Sequence, residues 1–197
     1  DTYGSPDVMQ LKDIDVPTIA ADEVLIRVRG AGVNIADWAI MHGRPYIARP
    51  VYGLRRPKVA VRGTDVAGVV EAVGATVTRF RIGDEVFGWA SGSYAEFAAV
   101  SQDALALTPA NLTFEQAAAV PMAGLVALQA VRDHGKVGPG SRVLINGASG
   151  GIGTFAVQIA KALGAHVTAV TGPRNVDIIR SLGADEVIDY TKEDFAR

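Results

Sequence analysis

The stretch "NGASGGIGTFA", residues 146–156, limits the fold of this chain more than any other. Four of its eleven residues are glycine, and it sits between two regular patterns. Before it, "RVLI" (142–145) reads as a buried strand; after it, "GTFAVQIAKALG" (153–164) reads as a helix closing at Gly164. "HVTAVT" (166–171) then predicts a second strand, "NVDIIRSLG" (175–183) a second helix and "EVIDY" (186–190) a third strand. Strands alternating with helices predict a doubly wound parallel sheet.

A glycine loop joining a strand to a helix inside such a unit is the context of a dinucleotide site. Read as GxGxxG/A, the loop offers Gly151, Gly153 and Ala156. Gly151 is expected at the tight turn and Gly153 where a side chain would block a pyrophosphate. Ala156 is expected where helix and strands pack closely. The backbone of Ala148, Ser149, Gly150, Gly151, Ile152 and Gly153 would then face the phosphates. The helix N-terminus adds unpaired N–H groups and a partial positive charge. The plainer reading, a glycine-rich structural turn, stays open.

The end of the second strand selects the cofactor. NAD sites place an acidic residue about 20 residues beyond the glycines, on the ribose 2′-hydroxyl. Here "TGPRN", Thr171 to Asn175, holds none, and the first carboxylate is Asp177 in the next helix. Arg174 could pair its planar fork with a 2′-phosphate. Thr171, Arg174 and Asn175 are therefore candidate cofactor residues, and NADPH is expected over NADH. Arg174 as an exposed loop residue is the alternative.

The first 110 residues have another character. "EVLIRVRGAGVN" alternates apolar and polar residues over Val24–Val28, predicting a half-buried strand. "VAGVVEAVG" predicts another, with Gly68 marking a bulge or close approach. "RFRIGDEVFGW" turns at Gly83–Asp84 between two apolar runs, and "GSYAEFAAV" predicts a strand ending near Val100. Thr113 and Gln116 form a capping box opening a helix that Pro121 kinks or ends. "MAGLVALQAVRDHG" predicts a further helix closing at Gly135. The organisation expected is a β-rich unit over 1–110, connecting helices over 111–140 and a dinucleotide-binding half over 141–197.

Composition removes several classes of function. Of 197 residues 49% are hydrophobic, enough for a real core, and the net charge of −2 leaves no footprint for nucleic acid. Arg55, Arg56, Lys58 and Arg62 form the longest basic cluster and read as a solvated loop. With no cysteine, disulfides, thiolate zinc sites and a cysteine nucleophile are excluded. His42, His134 and His166 show no metal-ligand spacing. No apolar run reaches the roughly 18 residues of a membrane span, so a cytoplasmic protein is expected. The chain starts at Asp1 without methionine, which leaves a removed targeting segment open.

The chain resembles the medium-chain dehydrogenase/reductase superfamily, and within it the zinc-free quinone oxidoreductase branch. The motifs are "AGVNIADW" (31–38), "GTDVAGVVEAVGATVTRFRIGDEVFG" (63–88), "NGASGGIGTFAVQIAKALGA" (146–165), "VTGPRN" and "SLGADEVIDY". The resemblance implies a GroES-like catalytic domain followed by a partial Rossmann sheet. Zinc enzymes of the superfamily carry cysteine where this chain has Asn34, and Gly-His-Glu where it has Gly63-Thr64-Asp65. An amide and a threonine hydroxyl replace thiolate and imidazole poorly, so no catalytic zinc is expected. The resemblance also implies that Asn34 lies near nicotinamide and substrate carbonyl, with a turn-stabilising amide as the alternative. It places Tyr46 in the substrate pocket and Tyr190 at the adenosine phosphate, or at a half-buried strand end. Many relatives carry threonine at Val126, beside the nicotinamide. Relatives continue for more than a hundred further residues and are often homodimers, so the chain is expected to be a fragment or an incomplete record.

Two functions follow as expectations. One is an NADPH-dependent reductase of quinones or α,β-unsaturated carbonyls, with Asn34 and backbone N–H groups as oxyanion donors and Tyr46 or water as proton source. The other is a non-catalytic NADPH-binding protein, as crystallin-type relatives suggest. A short-chain dehydrogenase fails, because Tyr190 lacks a lysine four residues on.

Overall fold

A computed structural model describes residues 2–195. It divides into two compact units between Met122 and Ala123. The first holds β1 (Glu23–Gly32), α1 (Ile35–His42), the short α2 (Arg49–Tyr52), β2 (Asp65–Val73), β3 (Glu85–Trp89), β4 (Phe97–Ser101), β5 (Leu105–Leu107) and α3 (Phe114–Ala118). Its five strands form one antiparallel sheet in the order β4-β1-β2-β3-β5.

The alternation read in β1 is what aims it. Val24 and Ile26 are fully buried, whereas Arg27 faces solvent and pairs with Glu71 across β2 at 2.9 Å. Val66, Val70, Val86, Val100 and Leu105 complete that core. Gly68 marks a close approach: a Cβ there would stand 2.2 Å from the Arg27 carbonyl oxygen. The strand read around 93–100 is shorter than expected, and of the two runs flanking Gly83 only the second is a strand. Helix α1 and strand β5 carry no strong periodic signal and were not foreseen.

The capping box is present: the Thr113 hydroxyl accepts from Gln116 N–H at 3.3 Å, and Gln116 returns a carbonyl to Thr113 N–H at 2.9 Å. The helix it opens packs Ala117 and Ala118 against Ala67, so it belongs to the first unit. Pro121 does not only end that helix. It begins α4 (Pro121–Leu128), consistent with a residue that lacks an N–H and is suited to a first helical turn. Gln129–His134 continues as one π-helical stretch that closes at Gly135. Ala127 and Val131 are buried in the second core, so the expected connector over 111–140 is shared between the two units.

The second unit holds β6 (Arg142–Asn146), α5 (Gly151–Ala162), β7 (His166–Thr171), α6 (Val176–Ser181) and β8 (Glu186–Asp189). Its three strands are parallel in the order β6-β7-β8. Helix α5 buries Gly153, Ala156, Val157 and Ala160, a stripe at helical spacing. These meet Ile145, Val167, Ala169 and Ile179. Val157, Val167 and Ile179 are fully buried, each stabilising by roughly 1.5–3 kcal/mol. Asp185 closes this unit, accepting from Lys161 Nζ and from Val167 N–H, both at 2.7 Å.

Candidate active site

Two groups of candidate residues stand in different units. In the second unit, β6, β7 and β8 all point their carboxyl ends at the segments carrying the candidate cofactor residues. That is the side of an open parallel sheet on which ligands bind. Gly147 takes φ +73, so the tight turn expected at Gly151 falls there instead. Gly151 is an exposed first residue of α5, and a Cβ on it would meet nothing within 4 Å.

Gly153 also answers a constraint that the sequence does not show. A Cβ there would stand 2.3 Å from the Gly147 carbonyl oxygen and 2.7 Å from Ala148 Cα. Its bareness lets the loop lie against the helix rather than merely sparing room for a ligand. Ala148 is fully buried and donates its N–H to the Val170 carbonyl at 3.0 Å. Its phosphate donor is already committed, and its place is structural. The N–H groups of Gly151, Ile152 and Gly153 lie in the first turn of a 12-residue helix, where the geometry supplies no intrahelical acceptor. Gly150 caps this helix, and Ser149 is half-buried beside it. Bare backbone, an open first residue and a helix N-terminus fit a pyrophosphate.

Thr171 and Tyr190 end neighbouring strands, and Tyr190 N–H donates to the Thr171 carbonyl at 3.2 Å. The Tyr190 hydroxyl lies beside Gly172, 3.1 Å from where a Cβ would be. The Thr171 hydroxyl is buried with no partner among the described residues. Arg174 is exposed, with no hydrogen-bond or ion-pair partner among the described residues, and Asn175 is half-buried next to it. Asp177 is fully exposed and faces Arg180 at 3.6 Å. Val126 is exposed on α4. Sequence reading missed Asp189, which pairs in register with Thr171 and is 8% exposed. Two hydrogen bonds from Thr191 hold its carboxyl below the usual carboxylate range.

The first unit builds its site from side chains. Asn34 precedes α1 and donates Nδ2 to Asp65 Oδ2 at 3.0 Å and to Thr64 Oγ1 at 3.2 Å. Its own backbone N–H goes to Asp37 Oδ2 at 2.9 Å, and the two residues form a capping box over the first turn. Asp65 is 1% exposed and also accepts from Met122 N–H at 3.2 Å. A carboxylate at the first turn of α4 is favourable for the helix dipole. Burial nevertheless pushes its pKa up, against the bonds from Asn34 and Met122. Tyr94 donates within the same cluster, its hydroxyl 3.2 Å from the Gly32 carbonyl and 3.3 Å from Asp37 Oδ2. Burial, then the Asp37 carboxylate, pushes its pKa up to about 12, so it stays protonated.

Tyr46 is not part of this cluster. It is 64% exposed, with the Arg49 guanidinium 4.7 Å from its ring and 4.7 Å from that of Tyr3. It lines an open depression with Trp38, Ala39, Arg44 and Pro45. Thr64, Asp65, Asp37 and Tyr94 were missed as site residues. The available signal was an aspartate at the head of the apolar run "DVAGVV", a place where a charge needs a reason.

The chain matches the family described as "Alcohol dehydrogenase GroES-like domain" over residues 20–110. It matches "Zinc-binding dehydrogenase" over residues 151–197. It is 38% identical over 196 residues to the chloroplastic quinone-oxidoreductase homolog of Spinacia oleracea, covering 95% of this chain and 58% of that protein. The quinone oxidoreductase of Coxiella burnetii superposes with a TM-score of 0.88 at 35% identity, covering 100% of this chain and 62% of that one. The Escherichia coli quinone oxidoreductase complexed with NADPH gives 0.83 at 32% identity, covering 98% and 57%. The chain belongs to the medium-chain dehydrogenase/reductase superfamily. Within that superfamily it falls in the quinone oxidoreductase branch. It spans less than two thirds of the length of these relatives.

One family description names zinc. Among the described residues no group of three or more His, Cys, Asp or Glu could hold a metal ion. Around Asn34 the polar groups are an amide, a hydroxyl and the Asp65 carboxylate, a donor set that suits zinc poorly.

Proposed function

We propose that the protein is an NADPH-dependent reductase of quinones and related α,β-unsaturated carbonyls. The observation that carries this reading is the crevice at residues 147–153. There the backbone, unobstructed at Gly151, offers the first-turn N–H groups of α5 at the carboxyl end of a parallel sheet. The E. coli relative, whose structure is described as an NADPH complex, supports the cofactor. Arg174, exposed and without a protein partner among the described residues, supports the phosphorylated form of the dinucleotide.

Bound NADPH would supply a hydride to a carbon conjugated with the carbonyl. The chain supplies the rest. The N–H groups of Gly151, Ile152 and Gly153 would hold the pyrophosphate, Arg174 would take the 2′-phosphate, Thr171 and Asn175 would border the adenosine ribose, and Tyr190 would approach the adenosine phosphate. Reduction leaves negative charge on the carbonyl oxygen, which needs a hydrogen-bond donor in place. Asn34 is a poor choice, because its amide hydrogens go to Asp65 and Thr64.

The test is NADPH consumption by the complete polypeptide with 1,2-naphthoquinone and with a 2-alkenal. Turnover of either, with NADPH preferred to NADH, supports the reading. Turnover of neither removes it, and saturable NADPH binding without turnover would leave a cofactor-binding protein.

No helix among the described residues is long and apolar enough to cross a membrane.

A further inference from the structure

Asp65 is a nearly fully buried carboxylate with no cation bonded to it, and the proposed chemistry has no use for it. Removing a carboxylate from water costs several kcal/mol unless hydrogen bonds replace the water. Here they come from Asn34 Nδ2 and the Met122 N–H. An ionised carboxylate only accepts. Asn34 must therefore turn its NH₂, not its carbonyl, toward Asp65, and the amide orientation is fixed by chemistry.

The second hydrogen of that NH₂ points to Thr64 Oγ1 at 3.2 Å. This hydroxyl therefore accepts from Asn34 and keeps its own hydrogen. No acceptor for that hydrogen stands among the described residues, and Thr64 is half-exposed. The Thr64 backbone is held as well, its carbonyl accepting from Ala90 N–H at 2.7 Å. In the same cluster the Tyr94 hydroxyl is occupied by Gly32 and Asp37, and the Asn34 N–H by Asp37. Among the donors of this cluster, Thr64 alone is held in place with its hydrogen unclaimed.

We propose that Asp65 is a positioning residue which, through Asn34, sets the direction of a hydrogen-bond chain ending at Thr64, and that the Thr64 hydroxyl is the donor to the carbonyl oxygen of the substrate. The inference rests on the reductase reading given above. When hydride adds to the conjugated carbon, a C–H bond forms there and the π electrons shift to the carbonyl oxygen. Thr64 Oγ–H hydrogen-bonds to that oxygen without losing its proton, and a proton from water completes the reduction.

The test uses two variants of the complete polypeptide and two measurements that need no turnover. Thr64→Val keeps the shape and removes the donor; kcat on the better substrate is expected to fall roughly 100–1,000-fold, the range for losing one oxyanion donor. NADPH affinity, read by fluorescence, is expected to stay within about twofold, since the phosphates are held in the other unit. Thr64→Ser is expected to restore most of kcat, which a purely packing role for the methyl group would not allow. An unchanged kcat in Thr64→Val with an active wild type would overturn the donor role.

The direction of the chain is read separately by NMR of the Asn34 side-chain amide. Two Nδ2 protons slow to exchange with solvent are expected, and fast exchange of both would overturn the role given to Asp65. If the wild type reduces no carbonyl at all, the reductase reading falls and the donor role of Thr64 with it. The amide measurement then still decides whether Asp65 orients Asn34.

Discussion

The two units build their candidate sites in opposite ways. In the second, the candidate phosphate crevice is backbone: a turn at Gly147, a bare Gly153 and a helix N-terminus. In the first the site is a chain of side-chain hydrogen bonds, Met122 to Asp65, Asn34 to Asp65 and Asn34 to Thr64, with Tyr94 and Asp37 alongside. A backbone site is broken by adding an atom; a side-chain site is broken by removing one. That contrast makes the effects of substitution opposite in kind.

The sharpest way to break the comparison is to add one carbon to the loop. Gly153→Ala would put a Cβ 2.3 Å from the Gly147 carbonyl oxygen and must push loop and helix apart. NADPH affinity by fluorescence titration is expected to fall about a hundredfold, ~2.7 kcal/mol. Gly151→Ala, whose Cβ meets nothing, should leave the loop geometry intact. Equal, small effects of the two would contradict a backbone-built crevice.

Removing atoms from the first unit comes next. Asp65→Ala leaves the Met122 N–H and the Asn34 amide unpaired in a buried place. A stability loss of about 2 kcal/mol is expected by denaturant unfolding. Arg174→Ala should weaken NADPH about tenfold, ~1.4 kcal/mol, while leaving NADH unaffected. Thr113→Ala removes a cap that is bonded to no candidate-site residue and should cost about 1 kcal/mol with no change in NADPH binding.

The smallest effect separates the units by pH. Asp185 is held below its ordinary pKa by Lys161 and the Val167 N–H, so its contribution is complete above pH 3.8 and is lost as pH falls through its folded value. Asp65 is raised by burial, so acid relieves its penalty instead. Amide exchange followed from neutral pH to about pH 3 should show the Val167 N–H, bonded to Asp185, losing protection. An unchanged Val167 amide would contradict the assignment.

The sequence made the second unit legible almost to the residue. Periods of two and of 3.6 are strong over 142–190, and the glycines punctuate them. It did not show the further reason for a bare Gly153, because the contact comes from Gly147 and Ala148, and only three dimensions bring them there. The first unit was legible as a β-rich body with the right strands near β1 and β2. Its site was not, because most of the hydrogen bonding there joins positions 30 to 62 residues apart, such as Asn34 with Thr64 and Tyr94 with Gly32. No local pattern announces such a network. Asn34 was found by resemblance alone, and resemblance could not say which way its amide faces.

The central claim is that bare backbone at the start of α5 receives the phosphates of a dinucleotide. It is tested most directly by following the backbone amide resonances of Gly151, Ile152 and Gly153 during titration with NADPH. The account predicts that all three shift saturably, in step with cofactor fluorescence. Saturable NADPH binding that leaves these three amides unmoved would contradict it.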